Sequence, residues 1–144
     1  MSDLDDLYRE VILDHSRRPI GRGDVSDATA SHHEYNPTCG DEVTVGVWLA
    51  DDGTLADVRW DGQGCSISTA SASVMTDLVR GLGRDEAQDL VDEFRALARG
   101  GGDVEASEAL GDAAAFAGVA KLVTRVKCAM LPWVALEADL KTTA

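Results

Sequence analysis

The sequence predicts an α+β fold, a small antiparallel sheet of about three strands packed against several helices. Three observations carry this. Apolar residues alternate with polar or small ones over 43–50 and 56–61, on either side of a turn at Asp51-Asp52-Gly53. After Cys65 the apolar period changes from that of a strand to that of a helix. The chain has 144 residues, 44% of them hydrophobic, enough for one domain with a real core. No internal repeat or second domain interrupts 1–144.

The elements follow in order. Leu4, Leu7, Tyr8, Val11, Ile12 and His15 recur at helical spacing and predict an amphipathic first helix, with Ser2 and Asp5 as a capping box. Arg17-Arg18-Pro19 and the glycines at 21 and 23 end it, and 19–30 reads as a loop. His32 to Tyr35 is a candidate edge strand, followed by the two longer strands around Asp51-Asp52-Gly53. Ile67, Ala70, Val74, Leu78 and Val79 mark the next helix, small on its first turns. Ala87, Leu90, Val91, Phe94 and Leu97 mark another, with Asp85 as N-cap and Gln88 three residues on. Gly100-Gly101-Gly102 breaks it, and 105–124 reads as short helical pieces interrupted at Gly111 and Gly118. A last helix covers 127–141. Pro132 cannot donate to the Cys128 carbonyl, so this helix either starts near Leu131 or kinks there.

Composition excludes several function classes. With 13 basic and 26 acidic residues the net charge is −13, the wrong sign for a nucleic-acid binder or a partner of anionic membranes. The acidic N-terminus, Met1-Ser2-Asp3-Leu4-Asp5-Asp6, does not read as a signal peptide, and no apolar run reaches the roughly 18–20 residues that span a bilayer. The expectation is a cytoplasmic protein with reduced thiols, and an odd cysteine count also fits a disulfide framework poorly.

Chemistry concentrates at three cysteines and one aspartate. Cys39 and Asp41 lie in Asn36-Pro37-Thr38-Cys39-Gly40-Asp41, Cys65 follows Gly62-Gln63-Gly64, and Cys128 follows Arg125-Val126-Lys127. Three thiolates and a carboxylate form a complete four-coordinate set for zinc, with one ligand unlike the rest. Residues two apart on extended backbone point to one side, and the glycine between Cys39 and Asp41 permits a turn that converges both groups. Cys65, and by the same reading Cys128, stand at helix starts, where the dipole favours a thiolate. Such a site carries about −2 around Zn²⁺, and Arg125 and Lys127 are the nearest cations in sequence to offset it.

Each residue also has a structural reading. A lone buried cysteine is most often packing, Gly-Asp makes ordinary turns, and Arg125 and Lys127 also read as a solvated helix start. His15 reads as a packing histidine on the apolar face of the first helix, and His32 and His33 as edge-strand surface residues. The cysteine spacings match no zinc-finger pattern.

Together, however, the motifs resemble a known family. Leu7-Tyr8-Arg9-Glu10-Val11-Ile12-Leu13-Asp14-His15, Asn36 to Asp41, Gly62 to Ser73 and Arg125-Val126-Lys127-Cys128-Ala129 resemble the SufU branch of the IscU/NifU iron–sulfur assembly proteins over nearly the whole chain. Scaffold-type members carry a histidine directly before the third cysteine and a short spacing from the second. Here Lys127 stands at that position and the long stretch 81–118 intervenes, as in the SufU branch. Leu131-Pro132-Trp133 departs from the pattern, which has a small residue before the tryptophan. The resemblance implies zinc on Cys39, Asp41, Cys65 and Cys128. It also implies that Cys39 accepts persulfide sulfur from a SufS-type cysteine desulfurase, with Arg125 supporting transfer and a SufBCD-type scaffold downstream. The alternative it leaves open is a scaffold that holds iron or a [2Fe–2S] cluster on the same ligands.

Overall fold

A computed structural model describes residues 3–100 and 108–143. The chain forms α1 (Asp3–Arg17), β1 (Ala30–Asn36), β2 (Asp41–Leu49), β3 (Leu55–Gln63), α2 (Ser66–Val79) and α3 (Arg84–Arg99). A 3₁₀ segment (Glu108–Lys121) and α4 (Val123–Thr142) follow. The sheet is an antiparallel meander in the order β1-β2-β3. Its register places Asn36 opposite Asp41, Glu34 opposite Val43 and Val45 opposite Trp60. The α+β fold with a three-stranded sheet is the one the periodicity predicts; β1 and β3 run one or two residues past the expected stretches at each end, and β2 begins two residues before its alternation.

The period-two pattern decides which face is covered. Val43, Val45, Val47, Val58 and Trp60 are buried and belong to the same core as α2, α3 and α4. Phe94 of α3 stacks on Trp133 of α4 with ring centroids 4.5 Å apart and meets Phe116 edge-on at 5.6 Å. The buried Trp133 indole donates to Ser71 Oγ at 3.0 Å, and Ser71 in turn donates to the Ala129 carbonyl at 2.5 Å. This chain of bonds joins α2 to α4, the two helices that carry Cys65 and Cys128. The 19–30 loop lies along the outer edge of β3. The Trp60 N–H donates to the Gly21 carbonyl at 3.0 Å, and the Gly23 N–H donates to the Trp60 carbonyl at 2.9 Å. A side chain at Gly21 would meet Thr76 at 2.3 Å, at a φ of +82°.

His15 is the packing histidine its position implies, 8% exposed. Ser73 Oγ accepts from the Ile20 N–H at 2.8 Å and lies 2.7 Å from His15 Nδ1. The His15 Nε2 lies 3.0 Å from the Asp112 carboxylate, which as an acceptor assigns the proton to Nε2. One imidazole thereby ties α1 to α2 and to the 3₁₀ segment.

Four local expectations need correction. The last helix begins at Val123, earlier than 127, and continues through Pro132. A proline inside a helix costs about 3 kcal/mol. Each large buried apolar side chain returns roughly 1.5–3 kcal/mol, and Met130, Leu131, Trp133 and Leu136 are all buried. Tertiary packing therefore overrides the local break. The N-cap of α3 is Gly83 instead of Asp85, and its N–H donates to Glu86 at 3.3 Å, the carboxylate three residues on. Gly111 does interrupt the 3₁₀ segment, at φ +47°, but Gly118 does not. Cys128 consequently lies inside α4, not at its start. The Ser2 cap, the glycines at 101 and 102, and residues 105–107 fall outside the described residues.

Candidate metal centre

Three elements bring the four candidate ligands to one end of the domain. The β1–β2 turn is closed by Asn36, itself 5% exposed. Its side-chain Oδ1 accepts from the Thr38 N–H at 3.1 Å and its carbonyl from the Gly40 N–H at 2.8 Å. Gly40 at φ +76° completes the reversal. Cys39 is thus left exposed at the turn, while Asp41, the first residue of β2, is 2% exposed. Cys65 is the N-cap of α2, and its carbonyl accepts from the Thr69 N–H at 3.1 Å. Cys128 is buried in the second turn of α4, 1% exposed, with its thiol 3.9 Å from the Thr124 carbonyl.

Asp41 is the hub. Its Oδ2 lies 3.1 Å from Cys39 Sγ and 3.6 Å from Cys65 Sγ, and its Oδ1 accepts from the Cys65 N–H at 2.9 Å. Cys39 and Cys128 sulfurs are 3.3 Å apart, too far for a disulfide. Cys39, Asp41 and Cys128 offer ligand atoms all within 4.8 Å of one another. Cys65 lies outside that close set and joins it through Asp41. A tetrahedral zinc with thiolates at about 2.3 Å needs S···S edges of about 3.8 Å and S···O edges of about 3.5 Å. The Cys39–Asp41, Cys39–Cys128 and Cys65–Asp41 separations are within about half an ångström of these. Cys65 stands farther than 4.8 Å from at least one other ligand atom, and the donor set is the sulfur-rich one that zinc favours. Gly64 completes the cradle, since a Cβ there would stand 2.3 Å from Ser68 Oγ and 2.7 Å from Asp41 Oδ1. Cys39, Asp41 and Cys128 form a group that fits a metal ion, and its sulfur-rich chemistry suits zinc.

The electrostatics are those of an anion-rich cluster. Burial pushes the Asp41 carboxyl up, but hydrogen bonds from Cys39, the Cys65 N–H, Cys128 and Cys65 Sγ together hold it below the usual carboxylate value. Burial raises the Cys128 thiol, assisted by its bonds to Cys39 and Asp41 and by the charges of Cys65 and Asp41. A bound metal would act in the opposite direction and favour the Cys128 thiolate. Arg125 is held charged first by the field of Cys65, then by its bond to Cys128. Its guanidinium thus acts on the two helix-borne cysteines, on the exposed side of the cluster.

Sequence reasoning missed three supporting residues. Asn36 braces the turn on both sides, Gly64 leaves room for Asp41, and Ser68 hydrogen-bonds the Cys65 carbonyl at 3.1 Å. The Asn-Pro-Thr-Cys run carried the signal for Asn36, because asparagine favours bonding its own backbone two residues on. Lys127 is exposed and faces a groove beside β1. His32 Nε2 lies 3.2 Å from Glu34 and His33 Nε2 3.6 Å from Glu42, and neither histidine belongs to the close Cys39, Asp41 and Cys128 group.

The chain matches the NifU-like N terminal domain over residues 7–129. It is 41% identical to the iron-sulfur cluster assembly scaffold protein IscU of Streptococcus pyogenes, over 100% of this chain and 89% of that one. It is 40% identical to the zinc-dependent sulfurtransferase SufU of Bacillus subtilis, over 94% of this chain and 90% of the other. A crystal structure of a proposed scaffold protein for the SUF system, from Fervidobacterium islandicum, superposes with a TM-score of 0.83 at 34% identity. That match covers 91% of this chain and 94% of the other. With a three-stranded meander, helices on one face and three cysteines gathered around a buried aspartate, the chain belongs to the NifU-like N-terminal family, beside the IscU and SufU proteins of iron–sulfur cluster assembly.

Proposed function

We propose that residues 1–144 form a single zinc-binding domain that accepts persulfide sulfur on Cys39 from a SufS-type cysteine desulfurase. The observation that carries this reading is the unequal exposure of the ligand set. Cys39 stands exposed at a turn, while Asp41 and Cys128 behind it are 2% and 1% exposed. A thiol that moves to a donor must be the accessible one, and the buried groups hold the site in its absence. Bound zinc would keep Cys39, Cys65 and Cys128 ionised near neutral pH, with Asp41 as the lone oxygen ligand.

The chain's own residues do the rest. The Cys39 thiolate attacks the outer sulfur of a cysteine persulfide on the desulfurase. A sulfur–sulfur bond forms at Cys39, the donor sulfur–sulfur bond breaks, and the donor cysteine leaves as thiolate, with no net redox change. Arg125 offsets the negative charge that accumulates beside Cys65 and Cys128. Lys127, in place of a scaffold's histidine, supports the sulfur-relay branch, and we place the protein in the cytoplasm upstream of a SufBCD-type scaffold.

The second reading, a scaffold for iron or a [2Fe–2S] cluster on the same four residues, is favoured by the 41% identity to the streptococcal IscU. Elemental analysis followed by mass spectrometry separates the two. Stoichiometric zinc, and a Cys39 peptide heavier by one sulfur atom after incubation with desulfurase and cysteine, supports the relay. A coloured iron-loaded form that transfers its cluster to an apo-protein, with Cys39 unmodified, supports the scaffold.

A further inference from the structure

We propose that the groove between the free edge of β1 and α4 docks an extended segment of a protein partner in which acidic and apolar residues alternate. The groove measures about 590 Å³. Glu34, Tyr35 and Asn36, the last three residues of β1, line it together with Pro37 and Thr38 of the turn that follows. Successive strand residues point to opposite faces, so the unbroken run 34–36 means that the strand's edge, not one of its faces, forms this part of the wall. β1 is the terminal strand of the sheet, and among the described residues nothing ladders onto its outer side. Every second residue of such an edge turns its N–H and C=O outward, ready to pair with another extended chain.

The opposite wall supplies the specificity. Val126, Met130 and Val134 recur every four residues and present one apolar stripe of α4 to the groove. Alternate side chains of a docked strand would rest on that stripe. Its other side chains meet Lys127 and Arg99, which also line the groove and have no ion-pair or hydrogen-bond partner among the described residues. In a chain of net charge −13, a pocket with two uncommitted cations selects an acidic ligand and the remaining surface repels it elsewhere. Glu34 also lines the groove, and its carboxylate lies 3.2 Å from His32 Nε2. The three strand residues span about 10 Å, so the edge pairs with about three residues of a docked segment, and Pro37 and Thr38 bound it at the turn.

The groove ends at Thr38, the neighbour of Cys39, so a segment seated here would bring its parent protein against the exposed thiol. The biological sense of the surface rests on the sulfur-relay reading, but peptide binding involves no sulfur, so each can fail without the other. The test is NMR titration of the isotopically labelled full chain with acetyl-Glu-Val-Glu-Val-Glu-amide, and with the lysine counterpart acetyl-Lys-Val-Lys-Val-Lys-amide. Support is a saturable shift confined to the amides of 34–38 and 126–134, with affinity at least tenfold weaker for the lysine peptide. An Arg99→Glu, Lys127→Glu double variant should reverse that preference. Equal binding of the two peptides, shifts mapping elsewhere, no binding, or concentration-dependent self-association through this face in place of peptide binding would overturn the proposal.

Discussion

Asp139 is fully buried in α4, and neither of its carboxylate oxygens has a hydrogen-bond partner. Loss of hydration raises its pKa to about 8. In the unfolded chain the same group titrates near 3.9. Below that pH it is protonated in both states and has no effect. As pH rises further, the unfolded state releases the proton while the native state keeps it, so stability falls by about 1.4 kcal/mol per pH unit until the native pKa is reached. From pH 5.5 to 7.5 the loss is about 2.7 kcal/mol, a large part of the 5–15 kcal/mol typical of a domain. This slope depends on one retained proton and not on the native pKa itself, provided that value stays above the window. Asp139→Asn cannot ionise, so its stability should lack this slope. Urea unfolding of both proteins at pH 5.5, 6.5 and 7.5, at constant ionic strength and zinc, should show the variant gaining on the original chain by about 2.7 kcal/mol across the window. Other titrating groups, the thiols included, cancel in the difference. Parallel curves for the two proteins would refute the argument, because they would mean that Asp139 is ionised and solvated in the native state.

Three further outcomes follow from the metal centre. Asp41→Ala leaves the Cys65 N–H without its acceptor, so it should destabilise the protein by about 1–3 kcal/mol as well as weaken zinc binding, read by thermal unfolding and competition with a chromophoric chelator. Asn36→Ala removes the bond to the Thr38 N–H and should cost about 1 kcal/mol, while Asn36→Asp, which keeps that acceptor but adds a charge across from Asp41, should weaken zinc binding more than the alanine does. Chelation of zinc should lower the melting temperature without abolishing cooperative unfolding, since the Phe94–Trp133–Phe116 cluster lies in the core shared by α2, α3 and α4. Loss of all cooperative unfolding on chelation would instead indicate a domain that depends on metal to fold.

The sequence by itself determined the class of fold, a small antiparallel sheet with helices, and pointed to Cys39, Asp41, Cys65 and Cys128 as one candidate set. These are local properties. Alternation over 43–49 and the Asp51-Asp52-Gly53 turn require pairing of neighbours, and Cys39-Gly40-Asp41 is a turn motif read within one stretch of backbone. Only the tertiary structure decided where α4 begins and why it survives Pro132, because burial of Met130, Leu131, Trp133 and Leu136 is a long-range gain that no local propensity contains. The same limit hid the difference among the ligands. Periodicity makes Cys65 and Cys128 equivalent residues at helix starts, yet one caps α2 and the other is buried inside α4. That difference in depth leaves Cys39 as the exposed thiol, Cys128 as the shielded one, and Asp41 as the carboxylate that joins them. It arises from how β2, α2 and α4 meet at one end of the domain, through contacts between residues as far apart as Cys39 and Cys128.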